Sequence, residues 1–173
     1  MKALSIKEPY AWDIITGDKT EEFRTWQPGN VSTFLMVSAG TPSPVDFGLG
    51  LPNGFALAVI NIGHVEKPKP DGPYAWSVTV KDLVQPFSVK GRLKFYDVDD
   101  SKIKVQPELT KSLLAYRQNE DAREADLFIR RYADPLTQIG YSQMPKKYQK
   151  ILDQTGNWNA VAEAWVESAR KSG

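Results

Sequence analysis

The spacing of apolar residues changes character near residue 100. Before that point it has mainly a two-residue period. Lys2–Ile6, with Ala3, Leu4 and Ile6 apolar, reads as a short strand. Tyr10, Ala11, Ile14 and Ile15 then recur at helical spacing. This helix is expected to open on Glu8-Pro9, because the first turn does not need proline's missing N–H, and to stop at Gly17. Lys19–Trp26 alternates as a strand, with Thr20, Glu22, Arg24 and Trp26 on one face and Lys19, Glu21, Phe23 and Thr25 on the other. Pro28-Gly29-Asn30 is a turn, and Thr33–Ala39, apolar on both faces, is predicted to be a central strand. Phe55–Val65, Tyr74–Val80 and Val89–Val98 complete a set of six strands, with Gly91 marking a bulge or a close approach. Thr41–Gly54 has three prolines and scattered apolar residues without a period. It is expected to be an irregular connection of the length that serves as a lid or binding loop.

After the acidic break at Asp97, Asp99 and Asp100 the period becomes helical. Helices are expected over Pro107–Gln118 (Leu109, Leu113 and Leu114 on one face) and Asp121–Tyr132 (Leu127, Phe128 and Ile129 apolar). Two more follow over Pro145–Gln154 and Trp158–Arg170, the last presenting Ala160, Val161, Ala164 and Trp165. The chain therefore reads as α+β, strand-rich over residues 1–100 and helical over 101–173, without repeats or low-complexity tracts.

Charge narrows the function only slightly. The net charge of +1 provides no general pull toward nucleic acid or membrane, so any such binding must be local. The absence of cysteine removes disulfides, thiol nucleophiles and thiolate metal sites, and the single histidine, His64, cannot build a zinc site alone. No cofactor or metal is expected. No apolar run approaches the roughly 18 residues of a membrane span and no signal-like segment follows Met1. The expectation is a cytoplasmic, monomeric protein with no membrane partner.

The densest chemistry lies between Gly17 and Trp26, where Lys19, Glu21, Glu22 and Arg24 fall within six residues. Such a run is either a solvated ladder of ion pairs or the floor of a polar pocket. As a pocket it is well equipped. Lysine and arginine suit phosphate or carbonyl oxygens, and a carboxylate such as Glu22 accepts from an exocyclic amine. Tyr10, Trp12, Trp26, Tyr74 and Trp76 can stack a base, although core packing explains the tryptophans equally well. Tyr10 follows the apolar face of its helix and reads as packed. His64, the Lys67/Lys69 pair, Arg130-Arg131 and Lys146-Lys147-Lys150 read as surface positions.

Two motifs go further. Leu4-Ser5-Ile6-Lys7-Glu8-Pro9-Tyr10-Ala11, followed by Gly17-x-Lys19-x-x-Glu22-x-Arg24-x-Trp26, resembles the ASCH domain family of the PUA-like superfamily. Weaker similarity runs through Leu51-Pro52-x-Gly54, Tyr74-Ala75-Trp76 and Val89-Lys90-Gly91, so that it spans about residues 1–98. The resemblance implies a bent β-barrel of about six strands over residues 1–100, with residues 101–173 a helical extension packed on it. It also implies a cleft lined by the signature residues that takes RNA or a nucleotide, DNA being the alternative.

One branch of the family resembles amidases that remove an acyl group from cytidine. There a lysine activates a threonine three positions later, assisted by a carboxylate from a later strand or loop. Lys19 stands at the lysine position, but Glu22 occupies the threonine position; Thr20 lies on the opposite face from Lys19, and Glu66 falls where the carboxylate is expected.

Three functions follow from these residues. The leading one is a binding module in which Lys19 and Arg24 face oxygens, Glu22 accepts from an amine, a tryptophan stacks, and the 41–54 segment closes over the ligand. The second is a small hydrolase, an amidohydrolase or ribonuclease with Lys19 as base or electrophile. A lysine base needs a lowered pKa, which Glu21 and Glu22 oppose. The third is a protein-interaction module presenting Leu113, Leu114 or Trp165. Alternation places Lys19 opposite Glu22 and Arg24 unless the strand begins irregularly.

Overall fold

A computed structural model describes residues 1–172. Its strands are β1 (Lys2–Ile6), β2 (Glu21–Arg24), β3 (Thr33–Ser38), β4 (Phe55–Glu66), β5 (Tyr74–Ser88) and β6 (Tyr96–Asp97). They form one sheet in the order β2-β5-β4-β3-β1-β6, in which β1 runs parallel to β3 and the other pairs are antiparallel. The helices are α1 (Tyr10–Thr16), α2 (Pro44–Leu49), α3 (Pro107–Gln118), α4 (Asp126–Phe128), α5 (Asp134–Gln143), α6 (Lys146–Thr155) and α7 (Trp158–Ser172). The α+β class and the helical last third are as expected.

The closed barrel is not. β2 and β6 are the two edges of an open sheet, four and two residues long, and among the described residues they do not pair. Bending comes instead from bulges between β4 and β5, where the register shifts at Ala56/Ala58, Val59/Ile60 and Ile62/Val65. Pro86 lies in the first of these, the position in a sheet where a residue without an N–H is tolerated. β5 therefore runs through the proline to Ser88, well beyond the predicted end at Val80. The predicted strand over Val89–Val98 shrinks to Tyr96–Asp97, because Lys94 takes a left-handed backbone (φ 57°) that interrupts an extended run.

The two faces of the sheet are covered differently. Leu4, Ile6, Phe34, Met36, Ile60 and Trp76 face α1, α3 and the 126–143 helical run, and together they form the main core with Leu113, Phe128 and Tyr132. Ala3, Leu35, Val37, Val59 and Val84 face the segment that follows β5, through Val89, Tyr96, Val98 and Ile103.

Two further expectations change. Thr41–Gly54 is not an irregular lid. It contains α2, closed by a capping box in which the Asp46 N–H donates to Ser43 Oγ (3.3 Å) and the Ser43 N–H donates to Asp46 Oδ2 (2.9 Å). Phe47 of α2 is buried against Tyr148 and Trp165, so the segment is pinned to α6 and α7. The helix predicted over Asp121–Tyr132 begins later and continues to Gln143 by way of a π-helical turn, Ile129–Ala133. Pro135 cannot donate into a regular helix, and the widened turn just before it lets the chain pass without stopping.

Candidate functional site

The signature residues meet at the end of the sheet where β1 gives way to α1. α1 stops at Gly17 (φ 88°), and Arg117 of α3 donates to the carbonyls freed at that end, from Nε to Ile15 O (2.9 Å) and from an Nη to Ile14 O (3.2 Å). The next residues do not yet belong to a strand. The Lys19 N–H turns back to Asp13 O (3.0 Å), and β2 starts only at Glu21. Strand alternation therefore does not govern Lys19, and its ammonium reaches round to 3.8 Å from Glu22 Oε2. The Arg24 Nε donates to Glu22 Oε1 at 2.9 Å, and one of its Nη atoms donates to Ser5 O at 3.0 Å. Glu22, 7% exposed, is thus a carboxylate set between two cations and tied through Arg24 to β1.

Above this group lies a cleft of about 380 Å³, lined by Ser5, Lys7, Tyr10, Glu22, Arg24 and, from the loop between β5 and β6, Arg92, Leu93 and Lys94. Glu22 is its only acidic lining residue among the described residues. Lys7, Arg92 and Lys94 have no carboxylate within 4 Å among the described residues. Tyr10 is 53% exposed, and the Lys19 ammonium sits 5.5 Å from its ring centroid and 5.0 Å from that of Phe23. An oxygen-rich ligand would meet cations at the rim, a carboxylate at the floor and an aromatic ring at the side.

The three tryptophans are elsewhere. Trp76 is fully buried; Trp26 packs edge-on to it at 5.0 Å and to Phe95 at 5.1 Å. Trp12 stacks on Phe128 (6.0 Å) and Tyr132 (6.5 Å) in the main core. None of the three lines the cleft. The accessible ring in the lining is Tyr10, a stacking candidate whose helical spacing favoured packing: it is the first residue of the two-turn α1 and stands half exposed.

Thr20 is exposed and outside the cleft. Glu66 shares a register row with Phe23 through Ala75, whereas Glu22 shares one with Val65 through Trp76, so Glu66 projects from the opposite face of the sheet. Its neighbour is His64, at 3.5 Å. Lys7, Arg92 and Lys94 were missed as site residues. The signal for the last two was the alternation of cations around a leucine in Lys90-Gly91-Arg92-Leu93-Lys94, which reads equally well as a solvated strand.

Gly91 holds that loop against β1. A Cβ there would lie 2.5 Å from Ser5 Oγ, which is itself hydrogen-bonded to Tyr96 Oη at 2.8 Å. Gly91→Ala is expected to cost about 1–3 kcal/mol by overpacking and to lift the loop off the cleft, measured by thermal melting together with ligand titration. An unchanged melting temperature would show that the loop is not seated on Ser5.

Residues 4–90 match the ASCH domain, 87 of the chain's 173 residues. The chain therefore belongs to the ASCH domain family, whose members are generally PUA-like modules that bind RNA. No curated protein matches it. No helix among the described residues is long and apolar enough to cross a membrane.

Proposed function

We propose that the cleft binds an unpaired base, or a nucleotide, of RNA. The observation that carries this reading is the buried Glu22 carboxylate, oriented by Arg24 and Lys19 at the floor of a cleft whose other charged lining residues are all cations. A base seated over Tyr10 would present its exocyclic amine to Glu22, as cytosine and adenine do and uracil does not. The phosphate would face Lys7, Arg92 and Lys94. Membership in a family of RNA-binding modules supports the ligand class.

The test is a titration with cytidine, adenosine and uridine 5′-monophosphates. Cytidine or adenosine monophosphate is expected to bind about tenfold or more tighter than the uridine compound, since a good contact of this type discriminates by roughly 1–3 kcal/mol. Glu22→Gln should erase that preference, and Tyr10→Ala should weaken all three ligands by roughly 1–3 kcal/mol through loss of stacking. Lys19→Ala should weaken binding as well, because it removes one of the two cations that orient Glu22. If Lys19→Ala and Tyr10→Ala bind every nucleotide as the parent protein does, the reading falls.

A further inference from the structure

A second cavity, of about 480 Å³, lies on the other side of the loop that carries Arg92. Arg92 and Leu93 line both cavities. Ser5, which lines the first cavity, is hydrogen-bonded to Tyr96, which lines the second. We infer that the cleft is one of two adjacent subsites and that this second cavity takes the neighbouring nucleotide of a single strand, which crosses the loop at Arg92 and Leu93. The inference rests on the reading that the cleft takes a base.

Three observations support it. The first is the loop's charge: Lys90, Arg92 and Lys94 alternate along it, are exposed, and have no carboxylate within 4 Å among the described residues. Uncommitted cations at regular spacing suit successive phosphates better than a single one. The second is Leu93, 93% exposed, an apolar side chain standing in solvent at the crossing point. Against a ribose or the face of a base it would bury apolar surface that is open to water in the free protein.

The third is that the loop is held in place, so that both subsites are preformed. Gly91 is seated on Ser5, and Phe95 stacks on Trp76 at 5.9 Å and packs edge-on to Trp26 at 5.1 Å. Between those anchors Lys94 adopts φ 57°, a conformation that non-glycine residues take infrequently. The second cavity also contains Asp97 and Asp99, which are occupied locally. Asp97 is paired with Lys2 at 2.9 Å, and Asp99 accepts from the Ser101 N–H at 2.9 Å. Lys90 and Lys102 remain for a phosphate.

The test compares cytidine 5′-monophosphate with a fluorescein-labelled RNA tetranucleotide on the full chain, using the double variant Lys90→Ala/Lys102→Ala. Both lysines are exposed, line the second cavity and not the first, and make no ion pair among the described residues, so the variant leaves the fold and the first cleft intact. The parent protein is expected to bind the tetranucleotide at least about tenfold tighter than the mononucleotide. The variant should lose about tenfold on the tetranucleotide alone, with the slope of log K against log salt reduced by about 1.4, or 0.7 for each of two phosphate contacts. A variant that binds the tetranucleotide like the parent, or loses equally on both ligands, overturns the second subsite and leaves the first intact. A parent protein that binds neither ligand overturns both.

Discussion

Glu8→Gln is expected to stabilise the protein by about 3 kcal/mol at pH 7 and by about 5 kcal/mol above pH 8, with little change at pH 4.5. Glu8 precedes α1, is 5% exposed, and accepts the Trp12 N–H on Oε2 (3.1 Å), while Oε1 has no hydrogen-bond partner among the described residues. Burial pushes its pKa from 4.5 up to about 8, with Asp46 and Asp13 adding to the rise and the Trp12 N–H opposing it. The Tyr132 hydroxyl, whose own pKa is raised by burial and by Glu8, donates to Leu57 O rather than to the carboxylate.

The direction follows from where the proton is held. Below pH 4.5 the folded and unfolded chains both carry it and nothing is lost. Between 4.5 and 8 the folded chain keeps a proton that the unfolded chain has released, so stability falls by about 1.4 kcal/mol per pH unit. Above 8 both forms are ionised, and the full cost of a buried charge remains. Glutamine has the shape of the protonated acid and cannot ionise. Urea-unfolding midpoints of both proteins from pH 4.5 to 8.5 measure the difference; parallel curves would show that Glu8 is solvated.

The second large effect is at the floor of the cleft. Arg24→Ala is expected to cost about 3 kcal/mol of stability, the lower end of the range for breaking a buried ion pair, because the Arg24 side chain is itself 24% exposed. It should also abolish nucleotide binding, since Glu22 would keep only Lys19 at 3.8 Å and the link from Arg24 to Ser5 O would be gone. Arg24→Lys should recover only part of either loss, because an ammonium cannot serve the carboxylate and the carbonyl with one planar fork. Adding Glu22→Leu to Arg24→Ala should return much of the stability but none of the binding, which separates the cost of an orphaned charge from the function of the group. A single-variant cost below about 0.5 kcal/mol would place the pair among solvated surface ladders.

How much of this the sequence made legible depends on how local each cause is. β1, α1, β3 and α3 were readable within a residue or two, because each is set by its own apolar pattern, and the two helices also by Pro9, Gly17 and Pro107 at their ends. The length of β5 was not, because Pro86 ordinarily ends a strand. Only the bulge opposite Ala56–Ala58 gives it a place. Likewise, α2 was hidden because its six residues are too few to show a period, although Ser43 and Asp46 carried the capping-box spacing.

The site divides along the same line. The sequence alone determined that Lys19, Glu22 and Arg24 belong to one family signature, and that Glu22 and Arg24 share a strand face, because alternation is a property of any extended chain. Only the tertiary structure decided that Lys19 joins them, since the irregular backbone before Glu21 frees it from that alternation. Only the tertiary structure, too, exchanged the tryptophans for Tyr10 as the accessible ring and brought Lys7, Arg92 and Lys94 to the rim. A tryptophan's chemistry is the same in a core as in a cleft. Which of the two it occupies depends on neighbours such as Phe95, Phe128 and Tyr132, set far along the chain and brought close by folding.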